Sequence, residues 1–196
     1  LVAACAHSPT PSQPSVLARS KPILTIDGLK FKDANANGKL DAYEDWRRPV
    51  DARVADLLAQ MTLVEKAGLM LIDTLNGGCE GAVSARGEAF VKQQQMHRFI
   101  IRNVVNAQGT CNPDAGIRAG SQLTPQQAAK FTNGVQALTE ATRLGIPALF
   151  KSNARNHFER DARTGTNNSS GVMTEFPKES GIAAAARGEE YRKSGK

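Results

Sequence analysis

The order of apolar segments between residues 96 and 150 constrains this chain more than any other feature. Met96-His97-Arg98-Phe99-Ile100-Ile101-Arg102 ends in an apolar run that reads as a buried strand. Thr124-Pro125-Gln126-Gln127 then opens a helix, with Thr as N-cap, Pro at the first helical position and Gln three residues after the cap. Phe131, Val135 and Leu138 give that helix an apolar stripe, it stops before Gly145, and Ile146-Pro147-Ala148-Leu149-Phe150 follows as a second strand. Strand, crossover helix and strand belong to an α/β fold, either a βα barrel or a doubly wound unit, and not to segregated layers. With 196 residues the chain is shorter than a complete (β/α)8 barrel of about 250 residues, so a barrel here would be a partial TIM-type one, and the doubly wound alternative stays open.

The flanking segments extend the pattern. A helix is expected across Arg47–Met61, where Val54, Leu57, Leu58 and Met61 fall at i, i+3, i+4 and i+7 as a buried stripe. Thr62-Leu63-Val64-Glu65 is a capping box that restarts the helix through Ile72. A Gly-rich loop over Gly77–Gly87 leads through a helix or loop to the first strand, Lys151–Gly171 is polar and loop-like, and Ala183–Lys193 reads as a last helix. The balance is basic, 25 Lys+Arg against 19 Asp+Glu, with a pI near 9.4. The basic residues are scattered without a Lys/Arg-rich run or interleaved aromatics, which argues for a solvated surface and against nucleic acid. Hydrophobic content of 40% and a mean hydropathy of −0.37 exclude a multi-span membrane protein and a wholly disordered chain.

The most chemically specific stretch is Asp33-Ala34-Asn35-Ala36-Asn37-Gly38-Lys39-Leu40-Asp41-Ala42-Tyr43-Glu44, which matches a calcium-loop pattern at every specified position. Ca²⁺ takes six to eight oxygens at about 2.3–2.6 Å. Asp33, Asn35 and Asn37 offer side-chain oxygens on alternate residues, Gly38 permits the sharp turn and Lys39 contributes a carbonyl. Asp41 sits at the ninth position and Glu44 at the twelfth, where it can bind bidentate. Two Asn in place of Asp imply weak, extracellular-type affinity. The alternative is an Asx-turn loop whose side chains cap their own backbone. Ile26-Asp27-Gly28-Leu29 reads as a turn after a short extended piece at Pro22–Ile26, so this is a lone loop without an entering helix.

Leu1-Val2-Ala3-Ala4-Cys5 resembles the end of a bacterial lipoprotein signal, with Cys5 as the lipidated residue. Residues 6–22 resemble the flexible tether that follows one, making residues 1–22 a signal remnant and tether. Membrane anchoring through Cys5 in the periplasm or at the outer membrane is expected on that resemblance. Cys79 and Cys111 then remain, both in Gly/Asn-rich loops; a disulfide suits an oxidising compartment, and their spacing alone leaves it open.

Four blocks in order carry a wider resemblance: Asp33–Trp46, Met61–Met70, Leu144-Gly145-Ile146-Pro147-Ala148-Leu149-Phe150, and Phe176-Pro177-Lys178-Glu179-Ser180-Gly181-Ile182-Ala183-Ala184-Ala185. Together they closely resemble the N-terminal part of bacterial family 3 glycoside hydrolases, the β-glucosidase and β-xylosidase group, over about residues 23 to 190. The resemblance implies that residues 23–196 are the N-terminal part of a TIM-like barrel domain in a retaining β-glycosidase acting on a β-linked oligosaccharide or glucoside. It also implies that the nucleophilic Asp lies on a later strand and the general acid in a following domain. Retaining chemistry needs those carboxyls about 5–5.5 Å apart. No catalytic residue is therefore assigned within this chain, and the chain alone is expected to be inactive.

The family commonly places an acidic residue after the Leu-Gly-Ile-Pro strand to bind hydroxyls of the −1 sugar. Here that position falls on Asn153, which keeps hydrogen-bonding capacity but not charge. Arg155 and, at the end of the first strand, Arg102 are further substrate-binding candidates; His157 is more readily a structural hydrogen-bonder. The rival reading is a small lipid-anchored calcium-binding module without enzymatic activity.

Overall fold

The computed structural model describes residues 12–113, 120–151 and 179–193. In chain order these form β1 (Ile23–Ile26), β2 (Leu29–Lys32), α1 (Val50–Gln60), α2 (Leu63–Met70), β3 (Asp73–Thr74), a 3-10 turn (Cys79–Gly81), α3 (Ala85–Lys92), β4 (Arg98–Ile100), α4 (Pro125–Glu140), β5 (Leu149–Lys151) and α5 (Glu179–Lys193). The chain divides into two compact units: Leu1–Leu63 with Glu140–Ile146, and Val64–Thr139 with Pro147–Lys196. No described helix is long and apolar enough to cross a membrane.

In the first unit, β1 and β2 make an antiparallel hairpin with Ile26 opposite Leu29. The expected turn at Asp27-Gly28 has positive φ at both residues, 51° and 78°, which is what a two-residue I′ connection requires. Phe31 on β2 is fully buried, with Trp46 stacked on it at 5.5 Å and the Arg47 guanidinium 4.8 Å from its centroid. Arg47 also grips Asp45 with two parallel hydrogen bonds, 2.8 Å from Nε and 2.9 Å from a terminal nitrogen. Glu140 is the unit's other polar anchor. Its Oε1 accepts backbone N–H groups from Arg19 (2.6 Å), Ser20 (2.9 Å) and Lys21 (3.3 Å), while Lys32 Nζ reaches Oε2 at 3.3 Å.

Helix α1 differs from expectation. Its apolar stripe exists, but Val54 and Leu58 remain 47% and 46% exposed, and only the following Met61 is buried. Periodicity identifies the apolar face of a helix; covering it takes another segment, and no described segment buries this one.

In the second unit the three strands form an open parallel sheet in the order β3-β4-β5. Phe99 pairs with Phe150, so both lie on one face, while Arg98 and Leu149, then Ile100 and Lys151, share the other. Phe90 of α3 stacks on Phe99 at 6.3 Å and Phe131 of α4 meets Phe150 at 6.5 Å. Both crossover helices therefore cover the same face, and Leu75, Val91, Met96 and Val135 complete that core. Leu149 on the opposite face is 62% exposed, and a hollow of about 420 Å³ there is lined by Ile72, Arg98, Leu149, Phe150 and Lys151. A parallel sheet is ordinarily covered on both faces. Among the described residues no closed barrel forms, so the structure establishes a mixed α/β fold with a small parallel sheet.

Helix α4 begins as the sequence indicates. Gln127 N–H donates to Thr124 Oγ1 at 3.2 Å, and Thr124 N–H donates to Gln127 Oε1 at 2.9 Å, a reciprocal capping box. Helix α2 is shorter than expected: it stops at Met70, and Asp73-Thr74 turns into the first parallel strand.

Candidate functional site

Beyond β3 the chain continues as Leu75-Asn76-Gly77, and beyond β4 as Ile101-Arg102-Asn103. Parallel pairing sets these two exits side by side, with Leu75 N–H bonded to Ile100 O at 3.0 Å. Asn76 Oδ1 accepts the Arg102 N–H at 2.9 Å. Asn103, 1% exposed, staples the exits together: Oδ1 accepts Gly77 N–H at 2.8 Å, and Nδ2 donates to Gly77 O at 3.0 Å and Ser121 O at 2.8 Å. A buried amide satisfied at both ends is stabilising, and one left unmatched costs about 1–3 kcal/mol. Gly120 is required beside it, since a Cβ there would sit 2.4 Å from Asn103 Nδ2.

Cys79 and Cys111, left open by the sequence, form a disulfide with Cα atoms 4.6 Å apart. It joins the 3-10 turn after β3 to the segment leading toward Ser121, whose Oγ accepts Asn112 N–H at 3.0 Å. Between these pieces lies a cleft of about 340 Å³, at the small end of ligand-pocket sizes. Thr74, Asn76, Ser84, Arg86 and Asn112 supply its polar lining. Arg86 is held by Asp73 at 2.9 Å and lies 4.7 Å from the Phe90 ring centroid.

Of the sequence-derived site residues, Arg102 is at the carboxyl end of β4, half-buried. Among the described residues its guanidinium makes no hydrogen bond or ion pair. Asn153, Arg155 and His157 lie outside the described residues, as does Cys5. Asn76 and Asn103 were not legible as site residues. The available signal was an Asn within three residues of the end of each strand, and it has meaning only once β3 is recognised as a strand.

The loop from Asp33 to Glu44 is closed by its own hydrogen bonds. Asp33 Oδ1 and Oδ2 accept N–H from Asn37 (3.0 Å) and Gly38 (2.8 Å), and Gly38 has φ of 75°. Glu44 Oε1 accepts Ala34 N–H at 2.8 Å and Oε2 accepts Asp41 N–H at 3.0 Å. Burial pushes the Glu44 carboxyl above its ordinary range, against the opposing pull of these backbone donors. Asn35 and Asn37 each cap a backbone N–H two residues on, and both turn their NH2 groups toward Asp41 Oδ2, at 2.6 and 2.8 Å. This is the Asx-turn arrangement. The donor set is all oxygen and chemically suited to a hard dication, but no group of three or more His, Cys, Asp or Glu converges into a metal site among the described residues.

No family model matches the chain. Individual relatives do. The chain is 35% identical over 170 residues to the periplasmic beta-glucosidase/beta-xylosidase of Dickeya chrysanthemi, a match spanning 85% of this chain and 23% of that protein. It is 30% identical over 148 residues to beta-glucosidase C of Emericella nidulans, covering 74% of this chain and 21% of that one. To the probable beta-glucosidase C of Aspergillus oryzae it is 28% identical over 155 residues, 76% and 21% respectively. These matches define the class: the chain corresponds to an N-terminal portion of a family 3-like glycoside hydrolase. It spans under a quarter of the length of these curated relatives.

Proposed function

We propose that this chain forms the opening βα units of the barrel in an exported, retaining β-glycosidase that hydrolyses β-linked glucosides or short oligosaccharides. The match along 85% of the chain to a periplasmic β-glucosidase/β-xylosidase carries this reading. Three consecutive parallel neighbours with both crossover helices on one face support a singly wound barrel over a doubly wound sheet, which places helices on both faces. The uncovered face with Ile72, Ile100 and Leu149 then corresponds to a barrel interior, which other strands fill with layers of side chains.

In this reading Arg102, Asn153 and Arg155 bind sugar hydroxyls, orienting the substrate. The carboxylate pair that forms and breaks the glycosyl–enzyme bond lies outside residues 1–196. Cys5 is lipidated and anchors the enzyme in the periplasm, through a tether shorter than residues 6–22, since Gln13 pairs with the Lys30 backbone and Glu140 holds the N–H groups of Arg19, Ser20 and Lys21. At the loop Asp33–Glu44, the side-chain oxygens of Asp33, Asn35, Asn37, Asp41 and Glu44 and the Lys39 carbonyl would hold Ca²⁺, which would cross-link the loop. A calcium-binding module without enzymatic activity is not favoured, since the relatives are named as glycosidases.

The test is turnover of a nitrophenyl β-glucoside. The 196-residue chain should show none above buffer, and a polypeptide extended to the relatives' length should hydrolyse it. Turnover by the chain itself, abolished by a single substitution within it, would overturn the assignment of the chemistry elsewhere.

A further inference from the structure

We infer that the outward face of helix α1, made by Val50, Val54 and Leu58, docks an uncharged aliphatic segment of the same polypeptide that lies C-terminal to residue 196. This rests on the reading of the chain as the opening portion of a longer glycosidase, and it adds an interface that the reading does not use.

Helix α1 is built inside out. Arg53, Asp56 and Gln60 fall at i, i+3 and i+7, one stripe of a helix, and this polar stripe is the side turned inward. Arg53 Nε donates to Tyr43 O at 3.1 Å, Asp56 Oδ2 accepts Tyr43 N–H at 2.9 Å, and the Gln60 carbonyl accepts from Arg143 at 2.9 Å. Asn35 Nδ2 meets the Gln60 side chain at 3.4 Å. Val50, Val54 and Leu58, at i, i+4 and i+8, occupy the opposite side, Val50 68% exposed and the other two half-exposed. A surface helix ordinarily turns its apolar stripe to the core. Here rotating α1 to do so would break every one of those hydrogen bonds, so the apolar face is held outward.

Area and charge select the occupant. Three side chains left about half open present on the order of 200 Å² of apolar surface, against about 800 Å² per partner in a stable interface between separate molecules. That is too little for a second copy. A segment joined covalently to the chain avoids most of the translational and rotational cost of association, so a small patch suffices. A lipid surface is disfavoured by charge, since interfacial helices set Lys and Arg beside their apolar face. In α1 the residue bordering that face is Asp51, the last turn carries no basic residue, and Arg53 is held inward. The match to the Dickeya chrysanthemi protein spans 23% of its length, so a polypeptide of that kind has ample chain to supply the covering segment.

The experiment places the photoreactive amino acid p-benzoylphenylalanine at position 58 of a polypeptide extended to the relatives' length. After irradiation, mass spectrometry identifies the cross-linked peptides. A cross-link to a peptide C-terminal to residue 196 is the expected result. A covalent dimer would assign the face to a second copy, and adducts with added phosphatidylglycerol vesicles would assign it to a membrane. Cross-links confined to residues 1–196 would assign it to this chain. Each of these three overturns the proposal. Amide hydrogen exchange decides the case in which the bulky group itself prevents docking. Residues 50–60 should exchange about tenfold more slowly in the extended polypeptide than in the 196-residue chain. Leu58→Gln should remove that difference and leave exchange in the 196-residue chain unchanged, because there the side chain faces water. Equal exchange in the two lengths would overturn the interface. Turnover of a nitrophenyl β-glucoside by the same extended polypeptide separates the two readings. Turnover without docking signals removes the interface and leaves the glycosidase standing; docking signals without turnover keep the interface and sink the glycosidase.

Discussion

Replacing Glu140 by Gln tests how much of the first unit's stability comes from one carboxylate. The residue is 4% exposed and its Oε1 collects three backbone N–H groups from Arg19, Ser20 and Lys21. Burial alone would raise its pKa; the three donors and the charge of Lys32 outweigh that and bring it from 4.5 down to about 2. A difference of that size corresponds to about 3 kcal/mol. Because the folded value is the depressed one, this stabilisation is fully present above pH 4.5 and disappears as pH falls toward 2. Gln keeps an acceptor for the N–H groups but loses the charge, and it presents an NH2 to Lys32. The variant should therefore be less stable by up to about 3 kcal/mol at pH 7, and by less than half that near pH 3. The single Trp of the chain, Trp46, lies in this unit, so urea unfolding followed by its fluorescence reads the affected region directly. A loss of the same size at pH 7 and pH 3 would refute the electrostatic account and leave only packing. A loss under about 0.5 kcal/mol at pH 7 would refute the clamp itself.

What the sequence revealed and what it concealed follow a physical division. The start of α4 was legible because a capping box is local: Thr124 and Gln127 satisfy each other within one turn. Strands β4 and β5 were legible from apolar runs. Strand β3 was hidden because Leu69–Ile72 continues the helical pattern into it, and two residues carry no alternation of their own. Its pairing with β4 is set by the shared Phe core, not by local preference. Asn76 and Asn103 were hidden for the same reason, since their partners belong to another strand's exit. The α1 stripe was visible in its periodicity, but burial depends on what covers the face, and Val54 and Leu58 stay exposed among the described residues. Cysteine spacing left the bridge open because Cα separation is a tertiary quantity.

Two further expectations bear on the bridge and on the calcium loop. Cys79 and Cys111 close a loop with a sequence separation of 32, which in the chain-entropy account stabilises by about 3.7 kcal/mol. Cys111→Ser, or reduction of the wild type, should lower the melting temperature by roughly 7–15 °C, and equal melting with and without reductant would show that the bridge contributes nothing. For the loop, Ca²⁺ at a hundred times its dissociation constant should raise stability by about 2.7 kcal/mol, and Glu44→Gln should remove most of that gain. The control matters because Glu44 also accepts N–H bonds from Ala34 and Asp41, so the variant is destabilised with or without metal. The discriminating quantity is therefore the calcium-dependent increment in each protein. A zero increment in the wild type identifies the Asx-turn network as the loop's working state, since the Asp33, Asn35, Asn37 and Glu44 oxygens then stay committed to the loop's own N–H groups. A positive increment that survives Glu44→Gln unchanged places the ion elsewhere, because a loop of this spacing cannot lose its twelfth-position carboxylate without weakening its hold on calcium.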